Sequence, residues 1–599
     1  MGGLARMEYR GYDSAGVAVI TDDDSLASAK KAGKLKMLAD ELERYPLPAG
    51  HTGIGHTRWA THGGPTDANA HPHLADGGKL ALIHNGIIEN FAPLKDRLLA
   101  EGCSFASETD TEVAAVLLGQ EFAKDHDLRA AFARTVNQLE GAFTLLAVHA
   151  DEPGLVVAAR RNSPLVIGLG DGENFLGSDV AAFVAYTQSA LAIGQDQMVF
   201  ITNDSVEVKH FDGRPAEPEP FEVAWDATAA DKGGWQSFMH KEVAEQPEAV
   251  ANTLRGRIVD GQVVIPELAE YGDDNLAKIR RILILACGTA SYAGQTAKYA
   301  IETWARVPVD VELSHEFRYR EPVLGSDTLV ISISQSGETM DTLMAVKYAR
   351  EQGAHTISIC NTQGSTIPRE SDAAVYTHAG PEVAVASTKA FVAQIAALYL
   401  FGLHLARVRG VMTTAQIAEQ TALLSAVPEG IRGALQSHDT VKELAHWMAS
   451  TESVLFLGRH VGYPIALEGA LKLKEITYIH AEGFAAGELK HGPIALIEHG
   501  QAVIVVVPSP THSEELHAKV VSNIQEIRAR GARVIVVAEA GDAAVLPFAD
   551  EVLRVPLAEP LFEPFLTVVP LQIFAMELAS AKGLDIDQPR NLAKSVTVE

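Results

Sequence analysis

Hydrophobic and polar positions follow two rhythms along this chain. In the first 225 residues the apolar segments are short and alternate with polar ones, as at 14–20 and 79–84, the spacing of half-buried strands. Segments of helical spacing follow at 110–120 and 127–139. These elements predict a layered α/β unit. Residues 215–220 are rich in proline and glutamate, hence extended, and 224–234 continue as a polar linker. A domain boundary is expected at 225–245. Beyond it the pattern changes. Residues 282–286, 328–333 and 355–360 are continuous apolar or β-branched runs separated by long helical stretches. Strands covered on both faces read this way, which predicts a parallel sheet flanked by helices. The arrangement recurs at 453–458, 502–507 and 532–538. The expected organisation is a unit at 1–225, a linker at 226–245, two similar doubly wound units at 246–425 and 445–590, and a tail at 591–599.

Size and composition narrow the function. At 599 residues the chain is too long for one core, and 47% apolar residues supply several. No run approaches ~18 consecutive apolar residues, so no membrane span is expected. The first residues carry no apolar secretory segment, and three cysteines cannot form a disulfide framework, so a reducing, cytoplasmic setting is expected. A formal charge of −28 argues against general nucleic-acid binding. An anionic substrate must therefore be held by local donors such as helix-start amides.

Such donors are concentrated in one place. The run 328–333 leads directly into Ser334-Gln-Ser-Gly-Glu-Thr339, and a helix is expected from about 338 to 352, stopped by Gly353. Three hydroxyls and a glycine at a strand-to-helix turn, where free amides point outward, make a phosphate cradle without cations. One such serine would be an ordinary N-cap. Further on, Glu475 and Lys472 are three apart on an expected helix and share a face, a spacing that also suits a plain salt bridge, as does Glu468 with Lys472.

The cradle resembles the sugar isomerase (SIS) domain. With it go Cys287-Gly-Thr289, Val385-Ala-Ser-Thr-Lys389, Glu468-Gly-Ala-Leu-Lys-Leu-Lys-Glu475, Gly487-Glu-Leu-Lys-His-Gly-Pro493 and the tail from Asp587. In their order along nearly the whole chain, these segments resemble the glucosamine-6-phosphate synthase family, the isomerising glutamine:fructose-6-phosphate amidotransferases. The resemblance implies that Thr289, Ser334, Gln335, Ser336 and Thr339 bind sugar and phosphate, with Val385, Ser387 and Ala593 lining the pocket. It implies a Schiff base between Lys594 and the ketose carbonyl, ring opening by His491, and proton transfer between C1 and C2 by Glu475 with Lys472 assisting. The chemistry asks for these types: an amine to form the imine, and one carboxylate that is first base and then acid. The family often has Ser after the threonine, where this chain has Ala290 followed by Ser291.

The N-terminal unit carries a second resemblance. His56-Thr-Arg-Trp-Ala-Thr-His-Gly-Gly64 and His84-Asn-Gly-Ile-Ile-Glu-Asn90 resemble the N-terminal-cysteine (Ntn-hydrolase-type) glutaminases. By that likeness Arg58, Trp59, Thr61, His62 and Asp110 bind glutamine, Arg58 through its fork to the α-carboxylate and Asp110 to the α-ammonium. Asn85 and Gly86 would form the oxyanion hole, and His71 would lie on a lid. Taken singly, these residues also suit a surface loop and a turn dipeptide. The family nucleophile is a terminal cysteine, whereas position 1 here is Met and the cysteines are Cys103, Cys287 and Cys360. The expectation is an assigned start downstream of the true one, and no glutamine hydrolysis by the chain as written. The resemblance further implies a homodimer. No metal or organic cofactor is expected. Three other readings stand beside it: a sugar-phosphate-sensing regulator, a phosphoribosyl amidotransferase, and an ammonia-dependent synthase or isomerase. The first needs no Lys594, Glu475 and His491 together; the second needs an acidic diphosphate loop that is not found.

Overall fold

A computed structural model describes residues 1–8, 11–60, 62–223 and 231–596. Thr61 and part of the expected linker, 226–230, lie outside the described residues.

The N-terminal unit is four layers. A three-stranded antiparallel sheet, with Ser14–Thr21 between Leu26–Ala32 and Gly50–Arg58, faces a six-stranded antiparallel sheet that carries Leu80–Ile88, Gly141–His149 and Val156–Arg161. Alternation explains the stacking, because Ala18, Ile20 and Ile54 of one sheet meet Ala81, Ile83 and Val148 of the other. Helices Asp110–Phe122 and Leu128–Val136 cover the outer face of the larger sheet, and Leu35–Arg44 covers the smaller through Leu35 and Leu38.

The remainder contains two parallel five-stranded sheets. The first runs Val309–Leu313, Arg281–Ala286, Thr328–Ser334, His355–Cys360, Ala373–Tyr376. The second repeats the order with His480–Ala485, Ser453–Gly458, Ala502–Val506, Arg533–Glu539 and Glu551–Val555. In each, the order in which successive strands are added reverses between the second and third strands named, and ligands of such sheets bind at that point. For the first sheet this is the end of Thr328–Ser334, where the sequence places the cradle.

Two boundaries differ from the expectation. Within 226–245, helix Phe238–Ala244 is docked rather than extended: Ser237 caps it, and Asp587 accepts the Phe238 and Met239 amides at 2.9 and 3.0 Å. Residue 425 falls inside helix Thr414–Leu435, which packs on Glu563–Ala581 of the second unit. One apolar core runs through both units. Lys389–Val408 and Glu563–Ala581 are long and apolar enough to cross a bilayer, yet both are buried inside this core. Helix Gly462–Thr477 approaches the latter at Gly469, where a Cβ would meet Leu571 at 2.8 Å and the Phe456 ring at 3.0 Å. A side chain there would press the helix that carries Lys472 and Glu475 away from Glu563–Ala581.

Candidate active site

The turn after Thr328–Ser334 is built as its sequence suggested. Helix Met340–Glu351 begins after Thr339, whose side chain leaves the first amides uncapped. Gly337 sits at φ +66°, and a Cβ there would fall 2.0 Å from Ser365 Oγ, so the turn requires glycine. Ser334 Oγ accepts the Gly337 amide and shares a bond with Thr339 Oγ1, both at 3.0 Å. Ser336 Oγ accepts the Glu338 amide at 3.2 Å and the Ser595 hydroxyl at 3.0 Å. The Met340 amide donates to Val596 O at 3.0 Å. Residues 595 and 596 of the tail therefore close the cradle from above. Gln335 opens instead into a cleft of about 860 Å³ that it lines with Glu382.

The Lys594 side chain is buried behind this cleft and is not part of its lining. Its ammonium pairs with Glu382, which is fully enclosed. Glu382 also accepts the Ser387 hydroxyl at 2.8 Å and the amides of Thr388 and Ala390 at 2.8 and 3.0 Å. Burial opposes its charge, but Lys594 and these donors outweigh burial and hold the carboxyl at about 2. Next to it, Glu242 accepts the Val383 and Ala384 amides, and burial beside the Glu382 charge pushes it up to about 8. Glu382 and Glu242 were not identified from the sequence. Glu382 lies just ahead of Val385-Ala-Ser-Thr-Lys389, so its place beside that segment was the only signal. Val385 is held by its amide bond to Asp587 O at 3.0 Å, and Ala593 is half-buried.

A second charged group lies on helix Gly462–Thr477. Lys472 Nζ donates to Glu475 Oε2 at 2.5 Å and to Thr289 Oγ1 at 2.9 Å, and stands 3.5 Å from Glu468 Oε1. Burial pushes Glu468 up to about 8 against the pull of Lys472. Lys472 is raised: burial works against its charge, and Glu468 and Glu475 prevail. The field of Glu382 also reaches Lys472 and favours its charge. Thr289 thus sits in the lysine group, donating to Glu468 at 3.2 Å, and makes no bond to the cradle hydroxyls. Ala290 packs against the apolar core, and Ser291 is buried. His491 ends the short turn Ala486–His491 and is exposed, without a bond to Lys594, Lys472 or Glu475.

In the N-terminal unit a cavity of about 630 Å³ is lined by Arg58, Trp59, His71, Asn85, Gly86 and Asp110, and also by Ser595 and Val596 of the tail. Arg58 is buried and donates to the carbonyls of His62 and Gly63. Asp110 begins helix Asp110–Phe122 and accepts the Ile88 amide at 2.9 Å. Asn85 Oδ1 is 2.7 Å from His56 Nε2, so the Asn85 amide nitrogen is turned away from the ring. Gly86 sits at φ +114° with Ala142 O only 2.0 Å from where a Cβ would be. His71 is a wall residue rather than a lid: it is buried, 4.3 Å from the His56 ring. Burial holds His71 well below the usual histidine range and His56 at about 4, so both are neutral near pH 7. His62 lies off the cavity wall, edge-on to Phe91 at 5.1 Å. Among the described residues no cysteine borders this cavity.

Comparison with known proteins agrees with this architecture. The glutamine amidotransferase domain model matches residues 56–185, and the SIS domain model matches 275–403 and 448–582. The chain is 75% identical over 599 residues to a protein of Leifsonia xyli called glutamine–fructose-6-phosphate aminotransferase (isomerising), covering 100% of this chain and 97% of that one. A Corynebacterium diphtheriae protein of the same name is 61% identical over 601 residues, with 100% and 96% covered. Among solved structures, the C-terminal domain of glucosamine-fructose-6-phosphate aminotransferase from Francisella tularensis matches with a TM-score of 0.57 at 41% identity, covering 60% of this chain and 99% of that one.

Proposed function

The chain belongs to the isomerising glutamine–fructose-6-phosphate aminotransferases, and from that premise we propose how its own residues carry the reaction. The family activity converts fructose 6-phosphate and glutamine to glucosamine 6-phosphate and glutamate, the entry step of hexosamine synthesis. Residues 334–339 hold the phosphate through hydroxyls and the amides at the start of Met340–Glu351. Lys594, once its ammonium has lost a proton to water, attacks the ketose carbonyl; an imine forms and water leaves, and ammonia then displaces the lysine from that carbon. Glu475 takes a proton from one carbon and returns it to its neighbour, with Lys472 holding the carboxylate in place. In the N-terminal cavity Arg58 and Asp110 grip the two ends of glutamine, while Asn85 and Gly86 face the developing oxyanion.

The observation that carries this reading is the placement of the tail. Lys594 is buried on Glu382 while the next residue bonds the cradle, an adjacency that supports imine chemistry beside the bound phosphate. Ser595 and Val596 also line the glutamine cavity, which puts the tail between the two halves. The test is glucosamine 6-phosphate formation from fructose 6-phosphate with ammonium as donor. Lys594→Ala abolishes it; retained turnover removes Lys594 from the mechanism.

We infer a homodimer. His491 is exposed and unbonded to the lysine groups, and Tyr319 and Val323 are 70% and 86% exposed. A second copy would cover such groups. Sedimentation that shows only monomer at micromolar concentration refutes this. The low cysteine number suits a cytoplasmic enzyme.

A further inference from the structure

The glutamate of the phosphate loop is braced from the other half of the molecule. Glu338 is buried between Ser336 and Thr339; its Oε1 accepts the Thr366 amide at 2.9 Å, and its Oε2 has no hydrogen-bond partner. Thr366 opens the short helix Thr366–Arg369, and the next amide, of Ile367, donates to Gly337 O at 2.9 Å. This helix therefore backs the loop at two points. The Thr366 hydroxyl in turn accepts a bond from Arg160 Nη2 at 2.8 Å.

Arg160 belongs to the N-terminal unit, on strand Val156–Arg161, and is fully buried. Its Nη1 donates to Ile193 O at 2.7 Å, and its Nε has no partner. Burial lowers the guanidinium to about 10, so it stays charged near neutral pH. A buried cation and a buried glutamate are thus joined through one threonine, each with one polar atom unused. The register extends the link: Arg160 lies opposite Thr144, and Thr144 opposite Asn85, in the same sheet.

We propose that Arg160 is a positioning residue of the sugar-phosphate site, holding the phosphate loop through Thr366 and Glu338. A carboxylate in that loop opposes an incoming phosphate unless a cation offsets it, and Arg160 is the buried cation joined to it through Thr366. This rests on the assignment of residues 334–339 as the phosphate loop. It places one determinant of sugar-phosphate affinity in the glutamine-binding half, in the same rung of the sheet as Asn85.

The test is the KM for fructose 6-phosphate, with kcat, in ammonium-driven synthesis. Thr366→Val keeps the shape and the amide to Glu338 but removes the hydroxyl that Arg160 needs. It is expected to raise KM roughly three- to tenfold, the scale of one ordinary hydrogen bond, with kcat at saturating sugar nearly unchanged. In a Glu338→Gln background the same substitution is expected to change KM by less than about twofold, because the two act as one unit. Ser336→Ala tests the loop assignment itself. If Ser336→Ala raises KM while Thr366→Val does not, or Thr366→Val acts equally in both backgrounds, the role of Arg160 is refuted and the loop stands. If Ser336→Ala leaves KM unchanged, the loop assignment falls and the proposal with it. Arg160→Lys, which keeps charge but loses the fork, gives the same KM rise and serves should Thr366→Val fail to fold.

Discussion

Replacing Lys594 by methionine should leave a pH signature as well as an inactive enzyme. In the native protein Glu382 sits at about 2, against an ordinary 4.5. Lys594 and three hydrogen-bond donors thus hold Glu382 ionised inside the fold, and removing one partner of such a buried pair costs about 3–5 kcal/mol. Both side chains are buried, so solvent screening takes little from this figure. A depressed carboxyl contributes its stability above its unfolded value and loses it as pH falls from about 4.5 towards 2. Without Lys594 the sign reverses. Burial then raises Glu382, as it already raises Glu242 to about 8, and a raised carboxyl costs stability as pH climbs. Lys594→Met should therefore already fall short of the native protein near about pH 4, and the deficit should widen to about 3–5 kcal/mol by about pH 8. In thermal unfolding that is roughly 6–20 °C for a unit of this size. Adding Glu382→Gln should restore most of the midpoint at the higher pH without restoring activity, because it removes the stranded charge. An equal loss at both pH values, or no recovery in the double variant, would refute the account of Lys594 and Glu382 as a buried pair.

Two further outcomes follow from other groups. Glu468 is raised from an ordinary 4.5 to about 8, so native stability should fall as pH rises between those two values and level off above them; Glu468→Gln should flatten that fall, as read from unfolding midpoints at about pH 5 and about pH 8. Arg58 grips the 62–64 turn and lines the glutamine cavity with a fork that lysine cannot reproduce. Arg58→Lys should weaken glutamine binding, measured by calorimetry, by roughly tenfold or more while leaving the KM for fructose 6-phosphate unchanged.

Much of the site was legible because its parts are local. Ser334, Ser336 and Thr339 stand within one strand-to-helix turn, so their sequence spacing is already their geometry. Lys472 and Glu475 meet because three residues on a helix share a face. Gly86 and Gly337 were readable as backbone requirements, and the structure shows the atoms that impose them, Ala142 O and Ser365 Oγ. What escaped were partners brought by contacts across hundreds of residues. Glu382 reads as one more acid before a motif until Lys594, 212 positions away, is folded onto it. Thr289 looked like part of the cradle, but helix Gly462–Thr477 packs beside it and takes its hydroxyl.

The sequence by itself determined the elements, the repeat of two parallel units, the hydroxyl-rich turn at 334–339 and the family, since each depends on periodicity or on groups close along the chain. Only the tertiary structure decided which charges are buried together. A carboxylate's behaviour depends on what surrounds it in space: Glu382 is held near 2 by a paired lysine from the tail, while Glu242 rises to about 8 because burial and the Glu382 charge outweigh the same lysine. It also decided that an arginine of the first unit, Arg160, stands behind the loop of the second, because burial and register across a domain boundary have no signature in local spacing.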